Sequence, residues 1–504
     1  MIDLETGVQP VATTTVTARA RAVVPGVLSG LLMLVVALTD ATRPGLSWDE
    51  VTSAEVSQRT FGEIWTLVHH VDAVFAAYYW FLHAWTGVFG DSMLSLRLPS
   101  ILAMAGAAGL AAELGRRLFS PLIGLVTGLI LVMIPNTSRY AAEARPYAFV
   151  CFLSVLALLI LVTLVARRER APLWLWAGYS VTLLLLGGFH LVSLTTLAAH
   201  AVVVGVAAWR RHDWRLVRTW LIAVVVAVLP LLPLARFGTQ QDETQLHWVK
   251  PITIDLVRAM PADIAGSSRL VWLLIGLAVL AAWRPGRRIA PIAVLALGPF
   301  TVVALVSALA SPMWVARYML VVLTPLALLA AVALVADTPE PRAWRDLLGG
   351  RFFRIGAVLL LLAFVALPGQ QDVRKPAAKN GPDYRGLAKV VGQYEQPGDV
   401  IVYPPKNRAM RAGMDYYLNR LPSRPADVLF KTPAAQTGLL IADEYTDDAA
   451  RVAGAPEVWL ILADQRPDPL GARPGLRELL TTQYTEAGRW HKKHGTAVLY
   501  RRKG

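Results

Sequence analysis

"GRRLFSPLIGLVTGLILVMIPNTSRYAAEARPYAFV", residues 115–150, is the stretch whose reading decides the fold. Two arginines open it. A proline-led apolar run, 121–134, gives way to a polar segment carrying Arg139, Tyr140, Glu143 and Arg145, and from Tyr147 the chain is apolar again. An arginine at the centre of a bilayer costs about 2.5–3.5 kcal/mol. The polar segment therefore belongs at an interface or in a wet cavity, and the runs on either side of it read as consecutive spans.

The alternation continues in both directions. The chain has 504 residues, 55% of them hydrophobic and 17% charged, with a mean hydropathy of +0.48. Apolar runs in series place it in the membrane class. The net charge of +14 would suggest nucleic acid in a soluble protein. Here the basic residues sit in short clusters between apolar runs: Arg116 and Arg117, "RRER" (167–170), "RRHDWRLVR" (210–218) and "RPGRR" (284–288). That is the pattern that orients membrane proteins, and no nucleic-acid partner is expected. The single cysteine, Cys151, lies in an apolar run and allows no intramolecular disulfide.

The basic clusters thread the chain. Residues 1–20 form a cytoplasmic tail. The run after it, Val23–Leu38, reads as an uncleaved anchor rather than a signal peptide. The segment 41–95 stays outside, and within it 60–70 and 73–89 read as amphipathic helices on the outer surface, the second rich in interfacial aromatics. Spans follow near Leu96–Leu114, Pro121–Ile134, Tyr147–Ala166 and onward to Ile355–Leu367, about eleven in all at the length a bilayer needs. The expected fold class is an all-α polytopic membrane domain over 21–368, with outer-face amphipathic helices, and a C-terminal extracytoplasmic α/β domain over 369–504. In that last part "DVIVY" (399–403), "EVWLIL" (457–462) and "TAVLYRR" (496–502) read as short buried strands, and 383–394 as an amphipathic helix.

By this threading the polar motifs share the outer face. Just beyond the first span, "GLSWDEVTSAEV" (45–56) sets Asp49 beside Glu50. A carboxylate near low dielectric is more basic than usual and suits a general base. The same acids could simply cap a helix begun by Ser47. Arg139, Arg145, Lys250 and Arg317 could bind a phosphate, by guanidinium forks and a lysine point charge, or could snorkel to lipid headgroups. Arg139 and Glu143 have i,i+4 spacing, which could be helix electrostatics. Glu143, His70, Asp72, Tyr78, Tyr140, His247, Trp248 and Tyr318 are candidates for holding a sugar or acceptor. His70 and Asp72 alone do not make a metal site, and a divalent metal stays open.

Acids, aromatics and guanidinium groups on one face beside lipid suit sugar transfer from a lipid-linked phosphate. The phosphate leaving group gathers charge that Arg and Lys stabilise. The acceptor hydroxyl must lose a proton to a base during attack. The anomeric carbon passes through an oxocarbenium-like state.

On "SWDE", "YYWFLHAW", "LRLPS", "GRRLF" and "SRYAAEARPYA" the chain resembles the GT-C glycosyltransferases over about residues 20–335. The likeness is to the polyprenyl-phosphate-mannose protein mannosyltransferase branch and its bacterial aminoarabinose transferase relatives. It implies Asp49 as catalytic base supported by Glu50, Glu143 as the second-loop acid, inversion at the anomeric carbon, and no direct use of nucleotide sugars. Where the family often carries His-Pro-Pro before the tyrosines, this chain reads "DAVFAAYY". Ala- and Arg-rich usage suggests an actinobacterium, for which decaprenyl-phospho-mannose and decaprenyl-phospho-arabinose are the donors implied. The expectation is transfer of mannose from a polyprenyl phosphate to a glycan, glycolipid or protein acceptor at the plasma membrane. An arabinofuranosyl or amino sugar is the alternative within the class, and a polytopic transporter the alternative outside it.

Overall fold

In a computed structural model, the described residues are 16–167, 171–241, 246, 248–283, 289–336 and 350–504. Among them seven helices are long and apolar enough to cross a membrane, or nine if each of two sharply bent pairs is one span. Two shorter apolar helices, Val23–Leu38 and Leu173–Phe189, accompany them. Every expected span has an apolar helical counterpart, and the fold is that of a multi-pass membrane protein with a strand-containing C-terminal part. Burial separates the helices. Ala316–Val335 is 83% buried over its most apolar stretch, whereas Ala290–Leu309 and Gly350–Asp372 are 17% buried. The latter expose Leu297, Leu305, Leu360 and Phe364, side chains that only lipid would solvate well.

The chain divides into two compact units: residues 1–41 with 97–374, and 42–96 with 375–504. The sequence places the outer segment 41–95 with the membrane domain. The structure instead groups it with the C-terminal chain, because backbone groups that no local helix or strand could satisfy are paired there. The Gly45 N–H donates to the Pro376 carbonyl (3.1 Å), the Trp48 N–H to the Asn380 carbonyl (3.2 Å), and the Tyr416 hydroxyl to the Asp91 carbonyl (2.9 Å).

In the first unit, both sharp bends serve the polar segment of residues 135–146. Pro121–Met133 meets Pro135–Ala141 at 71°, and Ile254–Ala265 meets Ser268–Ala282 at 97°. Such breaks strand backbone carbonyls in a medium without water. The Gln370 amide donates to the carbonyls of Val132 (3.2 Å) and Met133 (3.0 Å). The Asn136 amide donates to those of Asp263 (2.7 Å) and Ile264 (3.0 Å). Gly266 turns the second bend at φ +76°, and a Cβ there would lie 2.7 Å from the Asn136 Oδ1. Glycine alone suits both the angle and the approach.

The second unit contains a five-stranded sheet in the order β2-β1-β5-β7-β6. Its strands are β1 (Val400–Val402), β2 (Ala426–Asp427), β5 (Glu457–Leu462), β6 (Tyr484–Lys492) and β7 (Gly495–Arg502); β3 (Phe430–Thr432) and β4 (Asp443–Glu444) make a separate pair. β1 runs parallel to β2 and β5, while β5–β7 and β7–β6 are antiparallel. The central β5 is buried at every position, as its unbroken apolar run requires. The three strands and the Tyr384–Tyr394 helix appear where the sequence predicts them. The edge strand β6, "YTEAGRWHK", was not predicted. Most of its side chains are polar and partly exposed, and its pairing comes from the hairpin with β7. The surface helices Phe61–His70 and Ala76–Phe89 also form as expected.

Candidate functional site

In the second unit the Asp49–Glu50 pair opens a short helix, Trp48–Ser57. Ser47 is its N-cap in a full capping box: the Glu50 N–H donates to the Ser47 hydroxyl (3.2 Å) and the Ser47 N–H to the Glu50 carboxylate (3.0 Å). The capping reading of this motif is therefore realised, by Glu50. That carboxylate is 0% exposed and also pairs with the Lys379 ammonium at 2.9 Å. Lys379 arrives on a segment held close by Gly381 at φ +110°, where a Cβ would sit 1.7 Å from the Trp48 ring. Asp49, one residue earlier, faces outward enough to be half-buried. The two adjacent acids thus differ: one is locked inside, the other partly open.

The other candidates of this unit have structural partners. Asp72 sits in the left-handed region (φ 58°), is 6% exposed, and accepts a hydrogen bond from the Tyr79 hydroxyl at 2.7 Å. Tyr78, expected to meet a sugar, is instead 1% exposed in the packed interior. His70 is exposed at a helix end, with its Nδ1 2.9 Å from the Thr66 carbonyl. Among the described residues no three His, Cys, Asp or Glu side chains group as metal ligands would.

The first unit holds the basic-aromatic cluster. Its helix Pro135–Ala141 ends before Glu143, so the expected helical Arg139–Glu143 spacing is not formed. Instead the chain turns, with the Arg145 N–H donating to the Glu143 carbonyl at 2.8 Å and the Ser100 hydroxyl to the Arg145 carbonyl at 3.2 Å. Glu143 and Arg145 are 6% and 4% exposed. The Arg317 guanidinium lies over three rings: Trp248 at 5.0 Å, Tyr318 at 5.8 Å and Tyr147 at 5.9 Å. Tyr140 packs edge-on against Tyr147 at 5.4 Å, and Arg139 lies 5.7 Å from the Tyr140 ring. Guanidinium groups stacked on aromatic faces keep their edges available for oxygen ligands. Lys250 is exposed, and His247 lies outside the described residues.

Three residues were missed. His190 ends an apolar helix, is 6% exposed, packs 4.7 Å from the Tyr318 ring and 5.8 Å from Tyr147, and its Nδ1 has no hydrogen-bond partner among the described residues. A lone histidine closing an apolar run was the available signal. Lys379 was a basic residue in a segment predicted to lie outside, against the charge rule. Arg97, in "LRLPS", is 0% exposed and donates to the Ala41 carbonyl at 2.6 Å.

The family model described as dolichyl-phosphate-mannose-protein mannosyltransferase matches residues 76–236. The undecaprenyl phosphate-alpha-4-amino-4-deoxy-L-arabinose arabinosyl transferase of Pseudomonas aeruginosa (strain UCBPP-PA14) is 28% identical over 360 residues, 66% of this chain and 63% of the relative. Its counterpart numbered 1 from Pseudomonas fluorescens (strain Pf0-1) is 28% identical over 377 residues, 70% of this chain and 63% of the relative. The chain thus spans less than two thirds of the length of these curated relatives. ArnT from Cupriavidus metallidurans bound to undecaprenyl phosphate aligns with a TM-score of 0.60 at 15% identity, covering 94% of this chain and 97% of that one. The apo state aligns with the same TM-score and coverage at 16% identity. The structural likeness shows the fold, and the chain resembles the aminoarabinose transferase branch of the GT-C glycosyltransferases.

Proposed function

We propose that this chain transfers a sugar from a polyprenyl-phosphate donor to an envelope glycan, glycolipid or protein at the outer face of the membrane. The observation that carries the reading is the cluster around Arg317. It sets buried or half-buried cations and aromatic faces beside two broken spans. Arg145 and Arg317 receive the donor phosphate and stabilise the charge it gains as the glycosidic bond breaks. Tyr318 and Trp248 offer ring faces to the sugar. Asp49 takes the acceptor proton, while Glu50, paired with Lys379, holds the start of the helix that carries it. Glu50 is a positioning residue in this reading. Glu143, Arg139, Tyr140 and Lys250 complete the donor side.

The curated relatives named for aminoarabinose favour a pentose or amino sugar over mannose, so the arabinose-type alternative becomes the first choice. By the charge pattern, the N-terminus is cytoplasmic and residues 369–504 are extracytoplasmic. The two bent helix pairs favour one rival, since transporters also break helices around polar sites.

The test is incubation of purified full-length protein with polyprenyl-phosphate mannose, arabinofuranose and 4-amino-4-deoxy-arabinose, following release of polyprenyl phosphate. Consumption of one donor, lost by about 10²–10⁴-fold in Asp49→Asn with the protein still folded, is the expected result. A folded protein that consumes none, or an Asp49→Asn variant of full activity, refutes it. Uptake of a solute into proteoliposomes without donor turnover would favour the transporter.

A further inference from the structure

The turn that follows the Leu173–Phe189 helix in the first unit holds together without the side chain of His190. The backbone of His190 is extended (φ −163°, ψ 102°), so the helix stops there, and a short 3-10 helix, Leu191–Thr195, comes next. The polar backbone groups at this point are satisfied. The His190 N–H donates to the Leu186 carbonyl at 3.0 Å. The His190 carbonyl accepts from the Ser193 N–H at 3.0 Å and from the Ser193 hydroxyl at 2.5 Å.

The imidazole instead lies within the basic-aromatic cluster. Its ring centroid is 4.7 Å from that of Tyr318 and 5.8 Å from that of Tyr147. The Arg317 guanidinium lies over the same two rings, at 5.8 and 5.9 Å. The segments carrying these groups, Leu191–Thr195 and Ala316–Val322, pack against each other. Nδ1 of His190 is nevertheless buried and has no hydrogen-bond partner among the described residues. A buried polar atom left so is destabilising, and native proteins keep few of them, each for a reason.

The surroundings select what can meet that nitrogen. A cation is repelled by Arg317 across the shared rings. An apolar group leaves the nitrogen as it was. An anionic oxygen accepts an imidazole N–H and is attracted by the guanidinium beside it. A phosphate offers several such oxygens on one centre, so one can face Arg317 while another faces Nδ1. A water is the rival acceptor, and the experiment below separates the two.

We propose that His190 donates its Nδ1 proton in a hydrogen bond to the phosphate of the polyprenyl-phosphate donor, as an uncharged ligand beside Arg145 and Arg317. The proposal rests on the donor-site reading of this cluster and adds a residue to it. The tautomer required carries its proton on Nδ1. A neutral donor gives the phosphate a direction without placing a third full charge on a site that must release the lipid phosphate after each turnover.

The experiment titrates full-length protein in detergent with undecaprenyl phosphate, and with undecaprenol as the arm without phosphate. The proteins are the unaltered chain, His190→Phe, His190→Asn and His190→Gln. Phenylalanine keeps a ring and removes both nitrogens. The asparagine amide nitrogen falls near the place of Nδ1, and the glutamine amide nitrogen near that of Nε2. His190→Phe should weaken undecaprenyl phosphate binding about 10- to 150-fold, the loss of a hydrogen bond to a charged group, and leave undecaprenol binding unchanged. His190→Asn should restore most of the affinity and His190→Gln should not. Without lipid, His190→Phe should melt no lower than the unaltered chain, because it removes an unsatisfied polar atom. A lower melting temperature with unchanged phosphate affinity marks a structural histidine, or one that holds only a water, and overturns the proposal. Equal losses in the asparagine and glutamine variants overturn it too, and that comparison decides alone if the phenylalanine variant does not fold. If the unaltered chain binds no undecaprenyl phosphate, the donor-site reading falls and this proposal with it. If it binds the lipid and consumes a sugar donor while His190→Phe binds equally well, only the role of His190 falls.

Discussion

Glu50→Gln removes one charge and little else. The glutamine oxygen can still accept the Ser47 N–H that the carboxylate accepts at 3.0 Å, so the capping box survives and the change isolates the ion pair. Glu50 is 0% exposed and the Lys379 side chain 4% exposed, at 2.9 Å. With an effective dielectric of about 20, the attraction at that distance is about 6 kcal/mol. Desolvation of both ions offsets much of it, so the intact pair contributes little net stability. Breaking it is different, because a buried ammonium loses the carboxylate 2.9 Å from it, at a cost of about 3–5 kcal/mol. An exposed pair would cost about 0–1 kcal/mol. The cost falls on the segment where 45–50 and 375–381 meet, so hydrogen exchange is the appropriate assay. The Val51 N–H, bonded to the Ser47 carbonyl at 2.9 Å, should lose protection by a factor of about a hundred or more. Lys379→Met should do the same, and the double variant Glu50→Gln with Lys379→Met should recover most of the protection. If each single variant leaves Val51 as protected as before, or the two losses simply add, the pair does not hold this helix. Glu50 would then be free to act in the chemistry directly.

Other outcomes follow from the same structure. Arg317→Ala should weaken donor binding about 10- to 150-fold, the loss of a hydrogen bond to a charged group; Arg317→Lys should not restore it, since an ammonium cannot stack among three rings. Equal donor affinity in the alanine variant would remove Arg317 from the phosphate site. Reporter fusions should read cytoplasmic at Arg210 and extracytoplasmic at Pro404; a cytoplasmic signal at Pro404 breaks the threading. Asp415 is raised to about 6 from 3.8, first by burial and then by the Asp427 charge, against the pull of Arg424 and Arg411. The stability it contributes is therefore full below about pH 4 and lost as pH rises through 6. Asp415→Asn, which mimics the protonated group, should raise the melting temperature at pH 8 and leave it unchanged at pH 4; a gain at both values would point to repacking instead.

The spans, the surface helices at 61–89 and the buried strands β1, β5 and β7 were legible because each is a local pattern. The transfer free energy of an apolar run adds residue by residue, and a buried strand announces itself in five or six letters. The edge strand β6 carries no such pattern. At the candidate site, the acids and arginines stood out as polar residues in apolar surroundings. Their roles did not, since Asp49 and Glu50 are chemically near-identical letters. Nothing local says that one is half-buried and the other sealed.

What the sequence by itself determined is the membrane class, the order and places of the spans, and the set of polar motifs between them. These depend on composition within a window of about twenty residues. What only the tertiary structure decided is partnership. It joined 42–96 to 375–504, brought Lys379 to Glu50 across 329 positions, seated His190 among the rings of Tyr147 and Tyr318, and made a cleft from Glu55 and Asp415. An ion pair or a cleft wall is a relation between distant residues, and its energy exists only once the chain has closed the loop between them.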